Sequence, residues 1–327
     1  MNFLNLFRHQ KEAIATVAFN MKPVLNPWGG GNQFVLQLAK YLEQTGFKVT
    51  YALNQKVDLI VLVDPRVQDT VHFGVSEIQE YLKVNPKVKV LHRVNECDQR
   101  KNSSFMDDLL KNTNEVADFT VFISDWLKGY HAEKWYDTRK PHRVIINGAD
   151  PSVFHPIGGE IWAPGKKFRL VTHHWSKNEL KGFAEYAEVD SLISEGMNDF
   201  ELWIIGRWPD EMKFKTAKLL PPCNGKELAQ LLRQCHGYIT ASRYEPGGMH
   251  FIEGAQCGLP LVYHQDGGGI VEVGRPMGVG FTGSVKDAII ALRDGYQKYR
   301  ESLLNEPPSG DLMCLQYRRV IVQMLSV

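Results

Sequence analysis

Residues 242–260 read Ser-Arg-Tyr-Glu-Pro-Gly-Gly-Met-His-Phe-Ile-Glu-Gly-Ala-Gln-Cys-Gly-Leu-Pro and follow the apolar run Tyr238–Ala241. That run has the length and composition of a strand. Glu245 falls in the loop beyond it. Pro246 stiffens the loop, and Gly247-Gly248 leave backbone amides open where a helix begins. Glu253 lies roughly one to two turns into that helix, so the two carboxylates address different parts of one extended ligand. Carboxylates accept from neutral hydroxyls, whereas helix-start amides suit phosphate. Two glutamates eight residues apart are common in any sequence. The whole string, with its glycine pair inside and Gly258-Leu-Pro260 after it, is not.

Outward from this stretch, short apolar runs alternate with helix-like segments along nearly the whole chain. In the first half, strands are expected at Ala13–Phe19, Val49–Leu53, Leu59–Val63, Val88–Leu91, Phe119–Ile123 and Val144–Ile146. Helices are expected at Gln33–Gln44, Val75–Val84, Phe105–Val116 and Asp125–His131. Asn147–Gly165 then carries Pro151, Pro156, Pro164 and four glycines, which is linker composition. A second series follows, with strands at Arg169–Thr172, Leu202–Ile205, Tyr238–Ala241 and Leu261–His264. Its helices are expected at Lys181–Ser194, Lys226–Gln234, Gly248–Cys257 and Val285–Tyr299. Such alternation predicts an α/β protein with parallel sheets and right-handed crossovers. Two series imply two Rossmann-like domains, 1–150 and 151–327, facing across a cleft lined by loops at the strands' carboxyl ends.

The bulk numbers agree. A chain of 327 residues suits two domains of about 150 each. A net charge of +1 gives no field to recruit nucleic acid. Five cysteines without a C-x-x-C pair argue against a disulfide framework or zinc site and fit a reducing cytoplasm. No apolar run is long enough to span a membrane. Met1–Glu12, with Phe3, Leu4, Leu6 and Phe7, reads as a surface helix packed on the domain, or as a short interfacial helix making a peripheral membrane contact.

Four further motifs sit at strand ends. Trp28-Gly-Gly-Gly-Asn32 reads as a plain turn or as a phosphate loop. Leu91-His-Arg-Val-Asn-Glu-Cys-Asp98 places His92, Arg93 and Asn95 in the cleft, or in a solvated loop. Thr172-His-His-Trp-Ser-Lys-Asn-Glu-Leu-Lys-Gly182 puts Lys181 at a helix start, where the dipole disfavours a cation unless an anion is bound. Its adjacent histidines point to opposite sides of a strand and lack a third ligand, which disfavours a metal. His264-Gln-Asp-Gly-Gly-Gly269 is another flexible turn.

Together these motifs resemble the family-four group of GT-B glycosyltransferases. Glu245–Pro260 is similar to its E-x7-E signature, Lys181-Gly182 to its K-G pair and Ile204-Ile-Gly206 to its strand end. Val144-Ile-Ile-Asn-Gly-Ala-Asp150 resembles its V-I-x-N-G-V-D segment, and Val121–Leu127 its strand and helix before the interdomain region. The resemblance implies a GT-B fold and a retaining transfer from a UDP- or GDP-sugar to an acceptor hydroxyl, with no cofactor and no metal. No D-x-D occurs, as a metal-dependent GT-A enzyme would prefer. By motif position, Glu245 would contact the donor sugar, Glu253 the ribose and Lys181 the diphosphate. Gly247, Gly248 and Met249 would offer amides, Gly30 and Gly31 would approach the phosphates from the first domain, and His92, Arg93 or Asn95 would face the sugar or acceptor. The family usually has an arginine five residues before the K-G lysine, and here that position is Ser176. His174, Lys177 or Arg207 would take its place. The acceptor, whether carbohydrate, lipid or protein, is not identified. Two other readings remain: a nucleotide-sugar-binding module without chemistry, and another GT-B enzyme such as an epimerase.

Overall fold

The computed structural model describes residues 13–24, 30–66 and 68–326, so the expectations for Met1–Glu12 and for Trp28-Gly29 lie outside it. The first domain runs β1 (Thr16–Phe19), α1 (Gly30–Gln44), β2 (Lys48–Thr50), β3 (Leu59–Leu62), α2 (Val75–Val84) and β4 (Lys89–Val94). It continues with α3 (Asp98–Lys101), α4 (Met106–Asn114), β5 (Phe119–Phe122), α5 (Asp125–Ala132) and β6 (His142–Val144). The second domain runs β7 (Phe168–His174), α6 (Phe183–Ser194), β8 (Phe200–Gly206), β9 (Lys218–Leu220), α7 (Gly225–Leu232) and β10 (Gly237–Thr240). After it come α8 (Met249–Gln256), β11 (Leu261–His264), α9 (Gly269–Met277), β12 (Gly278–Phe281), α10 (Lys286–Asp294), α11 (Tyr296–Asn305) and α12 (Gly310–Leu325).

Each domain holds one six-stranded parallel sheet, ordered β2-β1-β3-β4-β5-β6 and β12-β11-β10-β7-β8-β9. The α/β GT-B architecture expected from the sequence is therefore the one observed. Strands such as β3, β5, β10 and β11 are buried at every position, as helices on both faces demand. Among the described residues, no helix is long and apolar enough to cross a membrane.

One helix departs from the expected boundary at 150/151. In α1 the buried side chains Phe34, Val35, Leu38, Ala39 and Leu42 form a stripe at helical spacing. That stripe packs on β1 and β3, and its outer side is covered by Met313, Tyr317, Val320 and Ile321 of α12. The Phe34 and Tyr317 rings lie 4.8 Å apart. Residues 310–325 thus fold with the first domain although they follow the second. The chain crosses between domains twice, and the crossings bond to each other: the Ala149 amide donates to Pro308 and the Gly310 amide to Ala149. A Cβ on Gly148 would sit 2.2 Å from the Ser309 oxygen, so only glycine fits there.

Candidate active site

In the second sheet β7 lies between β8 and β10, so successive crossovers leave it in opposite directions. The loops after β7 and β10 diverge and open a crevice at their carboxyl ends, where α/β sheets bind ligands. These two loops carry Lys181 and Glu245. In the first sheet β1 and β3 form the equivalent point, and α1 starts beside it. The two openings face one another and bound a cleft of about 700 Å³.

Local geometry explains the motif glycines. Lys181 ends a short 3-10 turn, Glu179–Lys181, and Gly182 follows with φ 79° as the residue before α6. The helix therefore starts two residues later than expected. A Cβ on Gly182 would lie 2.3 Å from that of Ala241, so the glycine lets the turn rest on the end of β10. Tyr244 has φ 52°, a conformation that costs a bulky residue energy. The turn after β11 holds it there: the Tyr244 amide donates to Asp266, Glu245 donates to Gly267, and Gly269 donates to Glu245. Any Cβ on Gly268 would come 2.8 Å from the Glu245 oxygen. The glycine run at 267–269, weak evidence in the sequence, is the clamp on Glu245.

Glu245 meets two cations. Lys181 Nζ is 2.9 Å and Arg100 Nη2 2.8 Å from its Oε2. All three side chains are nearly buried, at 12–13% exposure for Glu245 and Lys181 and 8% for Arg100. Burial alone would raise the Glu245 carboxyl, but Lys181 and Arg100 outweigh it and hold it down at about 2. Burial lowers the Lys181 ammonium, and Glu245 opposes that. Arg100 comes from the first domain, on α3, a helix the sequence reading missed because one turn has no visible periodicity.

Glu253, in α8, accepts from His173 Nε2 at 2.9 Å, and His173 Nδ1 lies 3.1 Å from the Tyr238 hydroxyl. His173 and His174 take opposite faces of β7, as a strand requires. His174 shares its Nε2 with Thr172 (3.0 Å) and Tyr186 (2.8 Å), and burial pushes its pKa well down, so it is neutral. His174 lines the cleft, and its Nδ1 has no partner there.

Two helix starts point into this cleft. α8 begins at Met249 after Gly248, with no side-chain cap and no acidic residue in its first turn. α1 begins at Gly30, likewise without an acidic residue there. A Cβ on Gly30 would touch Met249 Cγ at 3.0 Å, so the helix starts approach from opposite domains. Gly31 has ordinary space, with Asn95 Nδ2 3.9 Å from such a Cβ. Asn32 turns back to pin Val24 through both its side-chain oxygen and nitrogen.

Several expected residues are placed elsewhere. β4 runs to Val94, three residues past its expected end, so His92 and Arg93 lie inside the strand and leave by opposite faces. His92 is fully buried, accepts from Asn114 at 3.0 Å through Nδ1, and is pushed down to about 3 by burial. It does not line the cleft. Arg93 lies 4.1 Å over the Phe34 ring and donates to Asn147 at 2.9 Å. Asn147 in turn donates to the Gly247 carbonyl at 2.6 Å, so Arg93, which also lines the cleft, supports the Gly247 loop. Asn95 does line the cleft. Ser176 lines it too, but its hydroxyl accepts from the Asn178 amide. Arg207 is exposed outside the lining and leans on the Trp175 carbonyl, while Lys177 pairs with Asp210.

Two parallel-sheet domains facing across a cleft, with this site on the second, are the architecture of the GT-B fold. Residues 179–299 match the family model for glycosyl transferases group 1. The fold is similar to that of Anabaena HepE, solved in complex with UDP and glucose, at TM-score 0.65 and 14% identity over 94% of this chain and 99% of that one. Sucrose-phosphate synthase from Thermosynechococcus elongatus gives 0.67 at 14% identity over 95% and 99%. WaaG, a glycosyltransferase involved in lipopolysaccharide biosynthesis, gives 0.60 at 14% over 93% and 98%. At such identities the likeness is one of fold. No curated protein gives a significant sequence match.

Proposed function

We propose that this chain transfers a sugar, with retention of configuration, from a nucleoside-diphosphate sugar to an acceptor hydroxyl. The observation that carries this reading is the meeting of two helix starts without acidic residues in their first turns, at Gly30 and Met249, beside Lys181 and Glu245. Helix-start amides and a buried ammonium favour a diphosphate. Glu245, held ionised, accepts from sugar hydroxyls next to it, and Glu253 accepts from the ribose hydroxyls along α8. HepE, similar in fold, has been solved with UDP-glucose, which supports a nucleotide-sugar donor of that kind.

In the proposed reaction the acceptor oxygen bonds to the anomeric carbon from the face the phosphate leaves. The bond from that carbon to the phosphate oxygen breaks, and its electron pair stays on the diphosphate, which takes the acceptor's proton. The amides and Lys181 stabilise that charge as it develops. They do so without a metal in this reading. The five cysteines, all free and buried, fit a cytoplasmic setting.

A thermal-shift screen against UDP, GDP, ADP and their sugars tests the donor. A true ligand at a hundredfold excess over its Kd raises stability by about 2.7 kcal/mol. Nucleoside diphosphate release with an acceptor panel then tests transfer, and NMR of the product's anomeric centre tests retention. Stabilisation by none of the nucleotides would sink the reading. Binding without release across the panel would leave a binding module, and a changed free sugar without acceptor an epimerase.

A further inference from the structure

We infer that Arg100, a first-domain residue, is a binding group for the donor's diphosphate, so that the phosphate pocket is complete only when both domains contribute. This inference rests on the donor reading above. The argument starts from charge. Arg100 Nη2 and Lys181 Nζ approach the same Glu245 oxygen at 2.8 and 2.9 Å. Two cations therefore share one carboxylate in a nearly dry place, and a positive charge remains over. The neighbouring pair Lys101–Glu96 (2.7 Å) adds one charge of each sign and does not cancel it. A surplus buried cation is costly until an anion joins it. The nitrogens that converge on one oxygen are also spaced to hold a second oxyanion oxygen, and a guanidinium offers a planar fork for phosphate.

Arg100 is also held in place. Asp98, at the start of α3, accepts from the Ser103 hydroxyl at 2.6 Å and the Met106 amide at 2.8 Å, which fixes the loop beyond the turn. His131 accepts from the Trp135 indole at its Nδ1, leaving its Nε2 proton for the Glu96 carbonyl at 3.0 Å. The segment that carries Arg100 is thus anchored to α4 and α5 of its own domain. Nη1 lies 3.4 Å from the Arg243 carbonyl and 3.5 Å from that of Leu180, against both second-domain loops of the site. On that side Lys177 and Arg207 point elsewhere, so neither competes for the place.

The test is calorimetric titration of the full chain and of Arg100→Gln and Arg100→Lys. The ligands are whichever of UDP, GDP and ADP binds the native chain, and the matching nucleoside. Arg100→Gln should raise the Kd of the diphosphate about 10- to 100-fold and that of the nucleoside less than about twofold. Arg100→Lys should fall between native and Gln, because it keeps the charge and loses the fork. Unfolding midpoints of the variants confirm that each is folded. An unchanged diphosphate Kd in Arg100→Gln overturns the inference. So does an equal weakening of the nucleoside, which would make Arg100 only a strut between the domains. If none of the three diphosphates binds the native chain, the donor reading itself falls and this inference with it.

Discussion

On the second-domain wall of the cleft, Lys181, Glu245 and Glu253 hang from loops and a helix that flank one sheet's point of divergence. On the first-domain wall, the groups that reach the cleft come from the start of α1, from Asp64 and Arg66 after β3, from Arg93 and Asn95 at the end of β4 and from α3, while β4 keeps His92 for the interior. The second wall is built within one sheet: Lys181 lies beside the glycine that sets its turn, and the Glu245 loop is clamped by Gly267–Gly269 of the neighbouring β11 turn. The first wall is assembled from distant pieces, and its polar side chains mostly support other side chains. The two walls should therefore respond differently to substitution.

Glu245→Gln should have the largest effect. Turnover should fall about 10²- to 10³-fold with nucleotide binding retained, read as nucleoside diphosphate release. Retained full turnover would remove Glu245 from the chemistry. The same variant sharpens a pH comparison. The Glu245 carboxyl sits at about 2, below its ordinary value of 4.5. Its contribution to stability is therefore complete above pH 4.5 and lost as pH falls through about 2. Acid unfolding of the native chain should be steeper in that window than that of Glu245→Gln.

Gly182→Ala should come next, at about 2–3 kcal/mol of stability by denaturant unfolding, since the added methyl meets Ala241 and φ is 79°. A smaller cost would mean that the turn beneath Lys181 yields. On the first wall, His92→Leu should disturb stability by about 1–2 kcal/mol and leave the donor KM unchanged, because its partner Asn114 is a core group. A raised KM there would put His92 back in the cleft. His173→Phe should have the smallest effect. It frees Glu253 and should raise the donor KM up to about tenfold with kcat little changed. Equal loss with a 2′-deoxyribose donor would count against Glu253 holding the ribose.

The difference between the walls also explains what could be read from the sequence. Alternation of strands and helices is a local signal, and it placed both sheets and the second wall's loops. Strands β9 and β12 escaped because each is only three or four residues long, and α9 because Gly274 and Pro276 interrupt it; α12 was missed although Met313, Cys314, Tyr317, Val320 and Ile321 recur at helical spacing. His92 was misplaced by three residues of strand length, and three residues change whether a side chain lies beyond a strand or within it, whereas Arg93, on the other face, does line the cleft. Arg100 escaped for another reason. Its partners are at positions 181 and 245, and no spacing within the first domain records a contact with the second. Gly267–Gly269 looked like an ordinary turn because the strain it restrains, at Tyr244, is invisible without backbone angles.

The two hydrogen-bonded crossings at Ala149 and Pro308–Gly310 bear on how such proteins can be recombined. The first domain is closed by α12, so it is not a contiguous stretch of chain. An exchange of donor halves between relatives at a single junction near 150 would strip Tyr317, Val320 and Ile321 from the α1 core. A functional chimera needs two junctions, one on each side of the inserted half, and both crossing segments must come from the same parent so that Gly148 still meets Ser309.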